Sequence, residues 1–211
     1  MKKLAIILAG MLAASAAFAK PALNSDVQVH TGIGFDTIKM SNSGASVKLE
    51  SVLFNLDIQS WNLFELNDLI SVGFMAGTDF GWGGVTNINN TSSSDYQDAF
   101  HWNIIAAPAI AFSFRPVKIQ CSIGFDFAIA PGGAVANTYS CFPLAFGLVS
   151  EVQAKFFPNE RFSPIVGFRW GVTGSGRAKL INRNTDDEYK HNIDEGCYSF
   201  SVLYVGASFN F

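Results

Sequence analysis

Three histidines and three cysteines are the side chains here best suited to bond-making chemistry. His30 and His101 fall in stretches where polar and apolar residues alternate, and His191 falls in a polar segment. Nucleophilic catalysis would need a hydroxyl within hydrogen-bond reach of such a base, and an acid to orient the ring. No local spacing proposes that set. The one approach to expect is Asp79 with His101, on stretches that read as adjoining strands. Hydrogen-bonded filling is the expected role of these rings, with no catalytic residue and no enzymatic activity.

Metal and cofactor chemistry are not expected either. No two His, Cys or acidic residues stand at a ligand spacing. Asp186-Asp187-Glu188 lacks the alternating oxygens and internal Gly of a calcium loop, and Lys179, Arg183 and Lys190 are close by in sequence. It reads as a solvated segment of mixed charge. Gly174-Ser175-Gly176-Arg177 reads as the start of a loop, because no helix follows to receive a phosphate. Cys121, Cys141 and Cys197 are an odd number for a disulfide framework. Cys141 and Cys197 would be the pair to form if one does, although a strand separates them; otherwise all three are small apolar fillers.

The elements that must position these groups begin with an export segment. Met1-Lys2-Lys3 precedes an apolar run from Leu4 that closes on Ala17-Phe18-Ala19, the small-x-small pattern of a cleavage site. At about 16 residues the run is short of the ~20 a spanning helix needs, so residues 1–19 are expected to be a cleavable signal peptide. Lys2 and Lys3 leave with it: Lys+Arg falls from 14 to 12 against 17 Asp+Glu, and net charge moves from -3 to -5. That balance provides no basic surface for nucleic acid. With 20 Phe, 19 Gly and only 15% charged residues, the chain is too apolar for an ordinary exported soluble domain. Yet no later stretch is a continuous apolar span. A closed barrel meets both conditions, satisfying its backbone internally while only alternate residues face lipid.

Period-two alternation supports that reading. The first strand sets Val27, Val29, Ile33 and Phe35 against Gln28, His30, Gly32 and Gly34. The fifth is the cleanest, with Ile119, Cys121, Ile123, Phe125 and Phe127 on the apolar face and Lys118, Gln120, Ser122, Gly124 and Asp126 on the other. Eight such strands are expected over residues 20–211, closing an all-β antiparallel transmembrane barrel. Short turns near Asn67, Arg115-Pro116 and Phe157–Arg161 alternate with four longer polar loops at 36–45, 83–97, 130–138 and 174–195. Trp61 and Phe64 are assigned to the first short turn. Val47-Lys48-Leu49-Glu50 has the wrong parity, predicting a bulge near Ser51, and parity breaks again at Tyr198 and Phe200. Pro108 falls in mid-strand, where a closed barrel has no free edge. Ile105 and Val149 face inward in this register. The competing architecture, a soluble sandwich or lipocalin-like barrel, would bury the Phe stripe and expose Asp57, Lys118 and Glu151. The Gly- and Ala-rich character of that second face disfavours it.

Eight strands leave an interior that side chains just fill. The inward set contains Lys118, Asp126, Glu151, Lys155 and Arg169, an expected lumen charge network. Glu151 and Arg169 should be a diagonal step apart and should pair.

The last ten residues, Val202 to Phe211, alternate to a terminal Phe. With Leu203, Val205, Ala207, Phe209 and Phe211 on one face, this resembles the C-terminal signature of bacterial outer-membrane barrels. The chain is similar to the small eight-stranded class represented by the OmpA membrane domain, OmpX and OmpW. That resemblance implies an outer-membrane location, an insertion signal in those five residues, and outer-membrane lipid and the barrel-insertion machinery as partners. It also implies a monomer without cofactor or appended domain. A structural or surface-interaction barrel, meeting an extracellular ligand or host surface through its loops, is the first expectation. A narrow conduit for small or hydrophobic solutes, as in the OmpW-like case, is the alternative.

Overall fold

The computed structural model describes residues 23–42, 45–92, 98–129, 134–135, 139–182 and 188–210; the side chains of 23, 40, 42, 45, 47, 129–144 and 175–195 lie outside that description. The expected signal segment 1–19, residues 93–97 and 183–187, and Phe211 therefore fall outside it. The strand segments are β1 (Leu23–Asn42), β2 (Ala45–Glu65), β3 (Ile70–Ile88), β4 (Thr91–Ser92), β5 (Asp98–Phe114), β6 (Val117–Ile129), β7 (Ala134–Val135), β8 (Tyr139–Phe156), β9 (Phe162–Asn182) and β10 (Glu188–Asn210). Segments β4 and β7 are two-residue extensions that pair with the ends of β3 and β8. The other eight are antiparallel neighbours in the order β2-β1-β10-β9-β8-β6-β5-β3, and β3 pairs back onto β2. The sheet therefore closes, and among the described residues each of the eight long strands has a neighbour on both sides.

Closure works because alternate residues meet different surroundings. Ile33, Phe54, Ile104, Ile123, Phe125, Leu148, Phe168, Leu203 and Val205 all point outward and are 43–68% exposed. Aromatic rings border this apolar belt, as interfacial girdles do. Phe54, Trp82 and Phe100 are register partners at one border, and Phe162 meets Phe209 at the other with ring centroids 5.6 Å apart. Inward positions carry Gly, Ala and polar residues together with buried apolar ones such as Trp61, Met75, Ile105 and Val149.

The strands run well past the residues expected to hold them. Pairing of β1 with β2 continues to Asn42↔Ala45, through most of the expected loop 36–45. β3 continues to Ile88, and β9 and β10 pair between Ile181 and Glu188. In this far half the polarity of the wall inverts. Ile38, Leu49, Leu53, Val85 and Phe200 point inward and are 1–6% exposed, while Lys39 and Thr86 are exposed outside. This replaces the predicted bulge in the second strand. β2 keeps one parity throughout, and the extra residue is Thr86 of β3, since Glu50 pairs with Asn87 but Ser51 with Val85. Tyr198 and Phe200 likewise keep the parity of Val202 and Tyr204, all four buried. Trp61 is no turn residue; it lies in β2 and is fully buried in the lumen.

Pro108 interrupts the wall without opening it. The β5–β6 ladder passes from Ala106↔Phe125 to Ala109↔Ser122 with no slip in register. The walls stay so close there that a Cβ on Gly124 would stand 2.4 Å from Ala107 Cα. At the turns, Asn89 and Asn90 both have positive φ, 50° and 65°, the pair that a tight hairpin with native twist requires. Cys197 is an exposed free thiol. It pairs with Gly174 of β9 while Cys141 pairs with Leu180 of the same strand, so a bridge between the two would have to span two strand spacings and six residues of offset.

Candidate functional site

The candidate site is the lumen, and Arg169 of β9 is its centre. Gly167 and Gly171, two residues before and after it, leave the inner face of β9 bare, so the rings of β10 can lie on it. A Cβ on Gly171 would stand 2.3 Å from Phe200 Cε1, and one on Gly167 would stand 2.4 Å from Tyr204 Cζ. Arg169 then projects between those rings, with its guanidinium carbon 5.7 Å from the centroid of Tyr204.

Three acids surround the fully buried guanidinium. Nε donates to Glu151 Oε2 at 2.8 Å, Nη2 bonds Asp57, and Nη1 lies 3.3 Å from Asp79 Oδ2. Each acid is held in turn. Gln59 Nε2 donates to Asp57 at 2.9 Å and to Glu151 at 3.0 Å, and Tyr204 O–H donates to Glu151 at 2.5 Å. His30 Nδ1 lies 3.0 Å from Asp57. Trp61 Nε1 donates to Gln59 Oε1 at 2.6 Å. Toward the far end, His101 Nδ1 lies 2.7 Å from Asp36, whose Oδ2 also accepts from Tyr198 O–H at 3.0 Å. Asp79 is 3.4 Å from the other His101 nitrogen.

These contacts cross the barrel along every diameter. In an eight-strand ring, β1 faces β6, β2 faces β8, β3 faces β9 and β5 faces β10. Gln28 reaches Gln120 at 3.2 Å, Gln59 reaches Glu151 at 3.0 Å, Asp79 reaches Arg169 at 3.3 Å, and His101 reaches Tyr198 at 3.0 Å. The lumen is a packed polar core.

The five expected network residues all point inward but do not form one cluster. Glu151 and Arg169 meet, directly opposite in the ladder and not diagonally. Lys118 and Lys155 face each other at the short-turn end, where Lys155 donates to Asp26 Oδ2 and Asn210 Oδ1, each at 2.5 Å. Asp126 stands apart on β6, fully buried, with neither carboxylate oxygen hydrogen-bonded in the described structure. Asp36, Gln59, Tyr198 and Tyr204 were missed. The readable signal was inward aromatics lying opposite inward glycines, as with Tyr204↔Gly167. Below the network a cavity of about 790 Å³ opens at the short-turn mouth, lined by Asp26, Glu65, Asp68, Arg115, Lys118 and Lys155 among others. Among the described residues, no group of three or more His, Cys, Asp or Glu side chains is placed to hold a metal.

A closed eight-stranded antiparallel barrel, apolar outside and polar within, has the fold of outer-membrane β-barrel proteins. Solved structures share it. The outer-membrane protease OmpT of Escherichia coli aligns over 92% of this chain and 99% of its own at a TM-score of 0.51 and 8% identity. The outer-membrane protein OprG of Pseudomonas aeruginosa aligns over 89% and 96% at 0.51 and 11% identity. No protein-family model and no curated protein matches the sequence.

Proposed function

We propose that this chain is an integral outer-membrane barrel that acts as a structural or surface-interaction protein through its far end, without enzymatic activity. On this reading residues 1–19 are the cleaved export signal and 20–211 the mature monomer. Leu203, Val205, Ala207 and Phe209, ending at Phe211, are the segment read by the insertion machinery. The observation that carries the proposal is the bridging of all four lumen diameters by side-chain contacts. Such a lumen has no room for bulk solute flow, which argues against the conduit reading. His30 and His101 are 1% and 0% exposed, so no substrate group reaches their ring nitrogens. On the outward side, the projecting half-barrel is where an extracellular ligand or host surface would be met. Purified protein in planar bilayers tests this. No stable porin-like conductance is expected, with or without small solutes, and large steady steps would replace this reading with the conduit.

A further inference from the structure

We propose that the short-turn mouth of the barrel binds a compact oxyanion, a carboxylate or phosphate group, at Lys118. The Lys118 side chain starts on the inner face of β6, opposite Ser113 of β5 and Lys155 of β8. It is only 8% exposed, yet among the described residues its ammonium makes no hydrogen bond or ion pair. Its neighbour Lys155 differs, held by Asp26 and Asn210.

Glu65 and Asp26 act on Lys118 through space, but none of the acids that share the mouth bonds it. Asp26 Oδ2 accepts from Lys155 and from Ser208 Oγ at 3.0 Å. Glu65 Oε1 accepts from Asn24 Nδ2 at 2.6 Å, and Asp68 sits on the exposed turn after β2. The three Lys118 donors therefore open into the cavity of about 790 Å³, with Lys155 beside them and Arg115 on the rim. An ammonium this deep in the mouth with no acid bonded to it is costly, and an oxygen anion in the cavity would bond it directly. Asp26, Glu65 and Asp68 line the same space and repel a highly charged ligand, so the site suits a singly charged group. Free phosphate, a free carboxylate, and the phosphate of a phospholipid headgroup share this chemistry.

The test is thermal unfolding of the full barrel in zwitterionic detergent, with inorganic phosphate or acetate compared with chloride at equal ionic strength. Phosphate or acetate should raise the Tm of wild type by a few degrees more than chloride does. The increment should vanish in Lys118→Met and persist in Lys39→Met, a change on the outer wall at the opposite end. Headgroup binding would show as the same Lys118-dependent stabilisation in phosphatidylglycerol vesicles over phosphatidylcholine vesicles, with no free anion present. Equal responses in wild type and Lys118→Met overturn the proposal, as does a wild type indifferent to phosphate, acetate and phosphatidylglycerol alike. If Lys118→Met does not fold, lysine side-chain ¹⁵N resonances of wild type decide. One ammonium signal should move on titration with phosphate, and no selective movement ends the proposal.

Discussion

Glu151 and Arg169 face each other across the β8–β9 ladder, and their side chains meet at 2.8 Å with neither exposed to solvent. Arg169 serves two further acids, Asp57 and Asp79, whereas Glu151 keeps Gln59 and Tyr204 if the arginine is lost. The two ends of this pair are therefore unequal. Arg169→Gln should cost about 3–5 kcal/mol of unfolding free energy, because it leaves three buried acids without their cation. Glu151→Gln should cost about 1–3 kcal/mol. Urea unfolding of both variants and the double variant should give a coupling of roughly 0.5–3 kcal/mol. Independent effects would show that the contact carries no energy.

The height of the apolar belt can be read by placing arginine along one wall. Ile104→Arg and Phe125→Arg, both in the belt, should each cost about 2–4 kcal/mol in lipid. Thr86→Arg, beyond the Phe54–Trp82–Phe100 border, should fall within about 0.5 kcal/mol of wild type. A penalty at Thr86 equal to that at Phe125 would move the bilayer outward and remove the projecting half-barrel.

Orientation is open to labelling in a background with all three cysteines replaced by alanine. A cysteine at the exposed tip residue Asn90 should react with an impermeant maleimide on intact cells. Cysteines at Asn67 or Asn159, in the short turns, should react only after the outer membrane is permeabilised. The reverse pattern would turn the molecule over.

Assembly gives a fourth outcome. Leu203, Val205 and Phe209 lie 60%, 58% and 43% exposed on the outer face of β10. Deleting Phe211 should slow insertion and lower the amount of barrel that shifts mobility on heating in detergent gels. Normal insertion kinetics for the truncated chain would show that this segment is not the signal.

Much of the barrel was legible because lipid imposes a strict demand on alternate residues. β6 from Ile119 to Phe127 reads the same in sequence and structure for that reason. Leu49, Tyr198 and Phe200 were misread because one polarity rule was applied along the whole strand. Beyond the belt the outer wall meets water, so an inward apolar residue becomes favourable and an outward Lys39 costs little. In sequence, a change of surroundings looks like a change of register, and polar residues outside the belt look like loops. The inward direction of Glu151 and Arg169 was legible from parity. The gathering of Asp57, Asp79 and Tyr204 around the same guanidinium was not, because contacts across a diameter depend on strand tilt and stagger, which no local pattern records.

The inversion of polarity along the wall divides the positions of this chain by what can change them. Inside the belt every outward residue must suit hydrocarbon, and inward residues such as Asp57 and Arg169 are tied to partners. In the far half the apolar interior around Ile38, Leu49 and Leu53 holds the strands together, so positions such as Lys39 and Thr86 answer to neither lipid nor core. Those outer positions can drift in sequence at almost no cost in stability. An antibody or phage receptor-binding protein that reads them would meet a surface that can change its identity while the barrel beneath stays the same.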